Sequence, residues 1–437
     1  MLIKSVTFAA KCLFATTLFT TTLFSTSGMA LAKDVELRFS WWGGNARHQA
    51  TLEAIKAFEQ KYPHIKVKAE YAGWEGYLSR LTTQIAGGKE PDVIQTNWNW
   101  LPIFSKYGTG FYDLHQVAKT LDLTQYDPQS LESVTVNGKL NGIPVAATAR
   151  SFYYNKEKWQ EMGVAYPQSW DELKAAGLAF KAKDENSYPL VLDYMESLTL
   201  LQSYMVQKYN IPAIDEKNAK FNYTPQQWEE FFQLYKDLVD SHVFPSKRVL
   251  TSYGNANTWE MSPWINGTWG GVYMWNTNAL MYQNNLAAPK NKLELGPFFM
   301  LPGAKDAGLF FKPTMMFSIS RNTKHPEESA LLINFLMNEP EGVKALGLER
   351  GVPLSQTAYQ QLLQNGVIKE DSIVVTGLKS FMALPHNIPT SAYFDYPQFV
   401  ALYHETIQKI DQGDLSVKDA ASSFAKSADR IMKKTMK

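Results

Sequence analysis

Val35-Glu-Leu-Arg-Phe-Ser-Trp-Trp42 places apolar side chains at Val35, Leu37, Phe39 and Trp41 in alternation with others, the pattern of a half-buried strand. Gly43-Gly44-Asn45 turns the chain, and Leu52, Ile55, Phe58 and Tyr62 then recur at helical spacing until Pro63 stops the helix. Ile65, Val67, Ala69 and Tyr71 alternate again. Tyr77, Leu78, Leu81 and Ile85 make a second helical face that ends at Gly87-Gly88, and Asp92-Val-Ile-Gln-Thr96 reads as a third strand. The order β-α-β-α-β predicts the start of a wound α/β domain on a mostly parallel sheet.

Ligands of open α/β sheets sit outside the carboxyl ends of the strands. The segments after the three strands are Trp41 to His48 (WWGGNARH), Ala72-Gly73-Trp74, and Asn97-Trp98-Asn99-Trp100. Five of the twelve tryptophans fall there, which predicts exposed indoles where a chain normally keeps small or polar residues. Farther along, Asn141 to Arg150 reads as a connector into a second, helix-rich unit with helices expected over Trp170–Lys181, Leu198–Tyr209 and Pro225–Ser241. Tryptophans 259, 264, 269 and 275 cluster within 17 residues. Strand-like sequence returns from Gly296, Phe317–Ser320 reads as a short strand, Pro326–Asn338 as an apolar helix, and the tail from Phe399 as more helix.

The chain has 437 residues, with 43 Lys+Arg against 42 Asp+Glu, 45% hydrophobic and 19% charged residues. Such a chain is neither disordered nor a coiled coil, and its near-zero charge makes it a poor nucleic-acid partner. Residues 1–32 read as a secretory signal: Lys4 and Lys11, the apolar run Cys12–Phe24, then the small-x-small site Ala30-Leu31-Ala32, with the mature chain starting near Lys33. The only cysteine, Cys12, lies in that signal, so the mature chain is expected to carry no disulfide and no thiolate metal site.

The order and spacing of several further motifs carry a resemblance. They are Ala57-Phe58-Glu59-Gln60-Lys61-Tyr62-Pro63, Gly88-Lys89-Glu90-Pro91-Asp92-Val93, and Asn141-Gly142-Ile143-Pro144 followed by Tyr153-Tyr154-Asn155-Lys156. Pro167-Gln168-Ser169-Trp170-Asp171-Glu172-Leu173 and Ile265-Asn266-Gly267-Thr268-Trp269 complete the set. Over nearly the whole mature chain they resemble the periplasmic solute-binding proteins of carbohydrate ABC transporters, the group that includes maltose-binding protein. Phe39 to His48 is most like the branch that binds pectin-derived oligogalacturonides. The resemblance implies an α/β, two-lobed periplasmic binding protein fold with a hinge, each lobe a wound, mostly parallel sheet flanked by helices. The lobes would comprise residues 33–145 with 305–345, and 146–304 with 346–437. It also implies a monomer, closure around a sugar, and delivery to an inner-membrane ABC permease, with no cofactor.

A sugar ring offers an apolar C–H face to aromatic rings and a rim of hydroxyls to planar polar side chains. Trp41, Trp42, Trp74, Trp98, Asn45, Asn97 and Asn99 supply both kinds, as do Trp269, Trp275 and Asn276 from the second lobe. Tyr153, Tyr194, Met195 and Met274 stand where the family places further sugar contacts, and Trp159, Trp170 and Trp228 read as core. The segments 41–48, 95–100, 145–154, 262–279 and 310–317 contain no Asp or Glu, yet carry Arg47, His48, Arg150 and Lys312, with Arg350 nearby. A cleft short of acids and supplied with cations suits a ligand that brings its own carboxylate, which the planar fork of Arg pairs bidentately. Arg150, just past the hinge-like segment, is the leading carboxylate reader. A neutral malto- or xylo-type oligosaccharide is the alternative ligand, and an exported carbohydrate-active enzyme the alternative class. No metal-ligand spacing, phosphate loop or nucleophile elbow is present in the sequence.

Overall fold

The five elements expected of the opening stretch form as strand β1 (Val35–Trp42), helix α1 (Asn45–Lys61), β2 (Ile65–Ala72), α2 (Tyr77–Ala86) and β3 (Val93–Thr96). These come from a computed structural model that describes residues 34–254, 257–287 and 291–436; the expected secretory signal and Cys12 lie outside the described residues. β1 runs parallel to both β2 (Val35↔Ile65) and β3 (Phe39↔Val93). It is therefore an inner strand, and its last four residues are buried on both faces. Thr51, Ala54, Ile55 and Phe58 of α1 and Tyr77 and Leu81 of α2 supply the buried sides of the flanking helices.

The stretch read as a connector is the start of the longest strand, β4 (Ile143–Asn155), buried at all 13 positions. A strand covered on both faces shows no alternation, so its sequence carries no period to read. Three later strands join it: β5 (Gly271–Trp275), β6 (Leu293–Leu295) and β7 (Phe311–Ile319). The main sheet runs β6-β4-β7-β3-β1-β2, with β5 paired to β4 as its seventh strand. Among the described strands, parallel ladders join only β1 to β2 and β3; β5, β6 and β7 all run antiparallel to β4, and Val272 of β5 adds one isolated parallel bridge to Val191. Residues 296–310, expected to be strand-like, form none, while Phe317–Ile319 is only the end of the nine-residue β7 and Ser320 makes an isolated bridge to Phe111.

The larger helices that follow are α3 (Trp170–Lys183), α4 (Tyr194–Tyr209), α5 (Pro225–Asp240), the short α6 (Ala279–Asn284) and α7 (Pro326–Asn338). Then come α8 (Pro340–Leu346), α9 (Ile373–Met382), α10 (Pro397–Gln412) and α11 (Val417–Met436). α4 begins a turn earlier than its apolar period predicts, because Asp193 and Glu196 form a reciprocal capping box.

Two large cores divide the molecule into lobes. One gathers Leu37, Phe39, Phe58, Ile143, Phe317 and Phe335; the other gathers Phe152, Trp159, Trp170, Trp228, Phe232, Tyr403 and Phe424. β4 contributes Ile143, Val145 and Ala146 to the first and Phe152 and Tyr154 to the second, so one continuous strand passes between the lobes. Among the described residues no helix is long and apolar enough to cross a membrane.

Candidate functional site

The crossing strands set the geometry of the site. Thr148 of β4 pairs with Lys312 of β7, and Arg150 pairs with Trp275 of β5. Paired residues share a face, and residues two apart on a strand share it too. Lys312, Thr148, Arg150 and Trp275 therefore project together. The Arg150 guanidinium carbon lies 4.3 Å from the centre of the Trp275 ring and the Lys312 ammonium 5.1 Å from it. Lys312 also lies 6.0 Å from the ring of Trp98, which follows β3. The indole of Trp275 is thus approached by two cations, an arrangement that the ring's negative face favours.

Each cation already has an acidic neighbour. Arg150, 2% exposed, donates from Nη1 to Glu196 Oε1 at 3.1 Å, while its Nε has no hydrogen-bond partner. Lys312 Nζ donates to Asp395 Oδ2 at 2.7 Å. Burial, with Asp193 beside it, raises the Glu196 carboxyl well above the usual range, against the opposing pull of Arg150. The other oxygen of Glu196 accepts from the Asp193 backbone N–H at 2.8 Å, so the cap of α4 orients the carboxylate that meets Arg150. Lys247 completes this buried group: its Nζ donates to the Leu192 carbonyl and lies 3.9 Å from the centre of the Tyr194 ring. Burial pushes Lys247 down to about 8 despite Asp193 and Glu196 nearby.

On the first lobe, Trp74 is 51% exposed and stacks on Trp100 at 5.6 Å, with Trp42 edge-on to it at 5.4 Å. Asn97 and Asn99 each bury an amide oxygen that has no partner. Aromatic faces, unpaired amide oxygens and a guanidinium with a spare donor can together hold a ring's C–H face, its hydroxyls and a carboxylate.

The exposure expected for the strand-end indoles is found only at Trp74. Trp41 and Trp42 are 0% and 7% exposed because β1 is an inner strand buried to its end, and Trp98, in the 3-10 turn after β3, is 1% exposed. Trp41 donates to His48 Nδ1 and stacks on Tyr71, and Trp98 donates to the Ser133 carbonyl. Trp269, Tyr153 and Met274 lie in a core cluster beneath β5. Asn276 spends its amide on Thr148, the Ala149 N–H and the Val374 carbonyl, tying β4 to α9. Asn45 starts α1 and is exposed.

Arg47 and Arg350 form a separate group. Arg350 is 5% exposed, donates to Gln95 Oε1 and Thr51 Oγ1, and lies 5.3 Å from the Phe317 ring. Burial and the neighbouring Arg47 bring its pKa down to about 9. Phe317 pairs with Ile143, seven residues along β4 from Arg150 and beyond two register shifts of the β7–β4 ladder.

Glu196, Asp395 and Lys247 were missed as neighbours of these cations and aromatics. The Asp193-x-x-Glu196 spacing is a capping signature legible in the sequence, whereas nothing local links Asp395 to Lys312, 83 residues away.

A family model described as bacterial extracellular solute-binding protein matches residues 44–342. A periplasmic oligogalacturonide binding protein from Yersinia enterocolitica is 58% identical, with a TM-score of 0.87, over 92% of this chain and 100% of that one. Its structure in complex with saturated digalacturonic acid is 59% identical with a TM-score of 0.81 over the same shares. A de novo designed cysteine esterase is also similar, at 58% identity and a TM-score of 0.90 over 92% of this chain and 99% of that one. With its two lobes, its crossing strands and a family model that covers most of its length, this chain belongs to the bacterial extracellular solute-binding proteins.

Proposed function

We propose that the protein captures acidic, pectin-derived oligosaccharides in the periplasm and delivers them to an inner-membrane ABC importer, acting as a monomer and leaving the sugar unchanged. The observation that carries this reading is the placement of Arg150 and Lys312 against one indole, with an unpartnered guanidinium N–H between the lobes. The identity of more than half of all residues with the Yersinia oligogalacturonide binding protein supports the ligand class. The esterase in the same company is a designed protein, so it lends no support to natural catalysis. Trp74, Asn97, Asn99, Arg150, Tyr194, Trp275 and Lys312 are the proposed contacts, with the buried Trp98 packed behind them. Trp41, Trp42, Trp269 and Asn276 support them from beneath. The division of the cores supports lobes of residues 33–145 with 305–345, and 146–304 with 346–437.

One observation favours a second reading. Glu196 and Asp395 already neutralise the two cations, and such carboxylates can accept the hydroxyl protons of a neutral malto- or xylo-oligosaccharide. Calorimetry against di- and trigalacturonate, with maltotriose as the control, separates the two. The acidic sugars should bind and maltotriose should not; the reverse order would overturn the proposal. Arg150→Ala should weaken digalacturonate by on the order of 2–5 kcal/mol if the charged pair is desolvated. A loss under about tenfold, 1.4 kcal/mol, would remove Arg150 from the carboxylate-reading role. Polygalacturonate fragments incubated with the protein should be recovered intact.

A further inference from the structure

Across the hinge strands from the proposed sugar site lies a cavity of about 530 Å³. Its walls come from both lobes and from the chain between them: Arg47 at the start of α1, Leu348 to Val352 after α8, Thr277 and Leu280 at α6, and Val367 to Val375 leading into α9. The face is settled by register. Phe311 precedes Lys312 on β7 and so points the other way, and it stacks at 4.7 Å on Phe381 of α9. α9 therefore covers the face opposite Arg150, Trp275 and Lys312. Arg350 lines one cavity with Ser372, Val374 and Val375 at the start of α9, which places it on the α9 side.

Two properties of the cavity are unlike an ordinary surface dent. Three cations line it, Arg47, Arg350 and Lys369, against Glu349 as the one acid of the lining, and none of the three has a carboxylate at ion-pair distance among the described residues. The buried Arg350 also leaves Nη1 without any hydrogen-bond partner. By contrast, both cations of the sugar site are paired. The second property is apolar exposure. Leu280, Leu348 and Val367 are 50%, 39% and 45% exposed, and all three line this one cavity beside Met315, Val352 and Val375. A concave apolar wall with a few convergent charges is what a small-molecule site needs, and this volume lies within the usual range for one.

We propose that the cavity is a second ligand site that takes a small organic anion, a carboxylate on a short apolar body. The carboxylate meets the Arg47–Arg350–Lys369 side and the body lies on Leu280, Leu348 and Val367. This goes beyond the sugar-binding reading and does not depend on it. Because the walls belong to both lobes, occupancy would also bias their relative position, and by linkage any effect on sugar affinity is reciprocal.

Hexanoate is the test ligand, with hexan-1-ol as the same body without charge. In the full-length mature protein, hexanoate should shift the methyl signals of Leu280, Met315, Leu348 and Val367 with a Kd of about 1 mM or tighter. Hexan-1-ol should bind at least about tenfold more weakly, the 1.4 kcal/mol that one charge contact readily supplies. Leu280→Trp, at an exposed wall position, should block hexanoate, and Lys369→Glu should weaken it by about tenfold or more. Both substitutions are at exposed positions, and retention of the remaining methyl signals shows that the variants are folded. Equal binding of hexanoate and hexan-1-ol, or shifts scattered away from these methyls, would overturn the proposal. A digalacturonate titration at rising hexanoate adds the location. An apparent Kd that is unchanged or levels off supports a separate site, and one that climbs without limit makes the cavity part of the sugar cleft. Should digalacturonate fail to bind at all, the methyl shifts still decide the question.

Discussion

Lys312 sits at a choice between partners. Its ammonium is held by Asp395 at 2.7 Å, with both side chains about 15% exposed, and a ligand carboxylate would share or take over that charge. Lys312→Ala should therefore weaken an acidic disaccharide by about 1.5–3 kcal/mol, the value of a hydrogen bond to a charged group. Calorimetry showing equal losses for an acidic sugar and a neutral one would remove the charge argument. Trp74 plays a simpler part, because its exposed ring stacks on Trp100 and supports nothing above it. Trp74→Ala should cost sugar affinity, by about 0.5–1.5 kcal/mol for a lost stacked ring, and leave the melting temperature unchanged. The remaining strand-end tryptophans would fail that control, since Trp41, Trp42 and Trp98 are packed inside. Residue type announced aromatic character at these positions; only burial separates platform from core.

At the scale of elements, the junction of β4, β5 and α9 rests on Asn276. Its Oδ1 accepts from Thr148 Oγ1 and the Ala149 N–H at 3.0 and 3.1 Å, and its Nδ2 donates to the Val374 carbonyl at 3.0 Å. The residue is fully buried, so truncation leaves polar groups with no water to replace the amide. Asn276→Ala should cost about 2–4 kcal/mol in chemical denaturation; a loss below about 1 kcal/mol would show that the junction is held elsewhere. Gly377 of α9 belongs to the same joint, for a Cβ there would come within 2.2 Å of the Tyr153 hydroxyl. The opening run was legible because β1, α1, β2 and α2 each keep exposed positions beside their buried ones; only the four-residue β3 is buried throughout. β4 was not, because burial at every residue erases the period that identifies a strand.

For the whole molecule, the two cores and the strands between them make closure the expected response to a sugar that touches both lobes. Small-angle scattering should show a smaller radius of gyration when digalacturonate saturates the protein; an unchanged curve at saturation would contradict closure. Acidity should act through Glu196, whose carboxyl is raised by burial and by Asp193. Its native form binds more protons than its unfolded form from pH 4.5 upward, so its contribution to stability falls as pH rises through that window. Glu196→Gln cannot lose a proton there. The melting temperature of the variant should gain on that of the native protein as pH increases from about 4.5, and parallel curves would refute the shift.

The sequence by itself determined the α/β class, the helical second unit, the core roles of Trp159, Trp170 and Trp228, and the shortage of acids in the segments around the cleft. These are local properties, written in periodicity and composition. Only the tertiary structure decided which cations share a site. Register set Arg150 and Lys312 on one face of β4 and β7, and packing gathered Arg350 with Arg47 and the start of α9 around a separate cavity. It also brought Glu196 and Asp395 back to charges that looked unopposed along the chain. Pairing across a sheet depends on which strands meet and in what alignment, and that is settled by burial of the whole rather than by any segment of it.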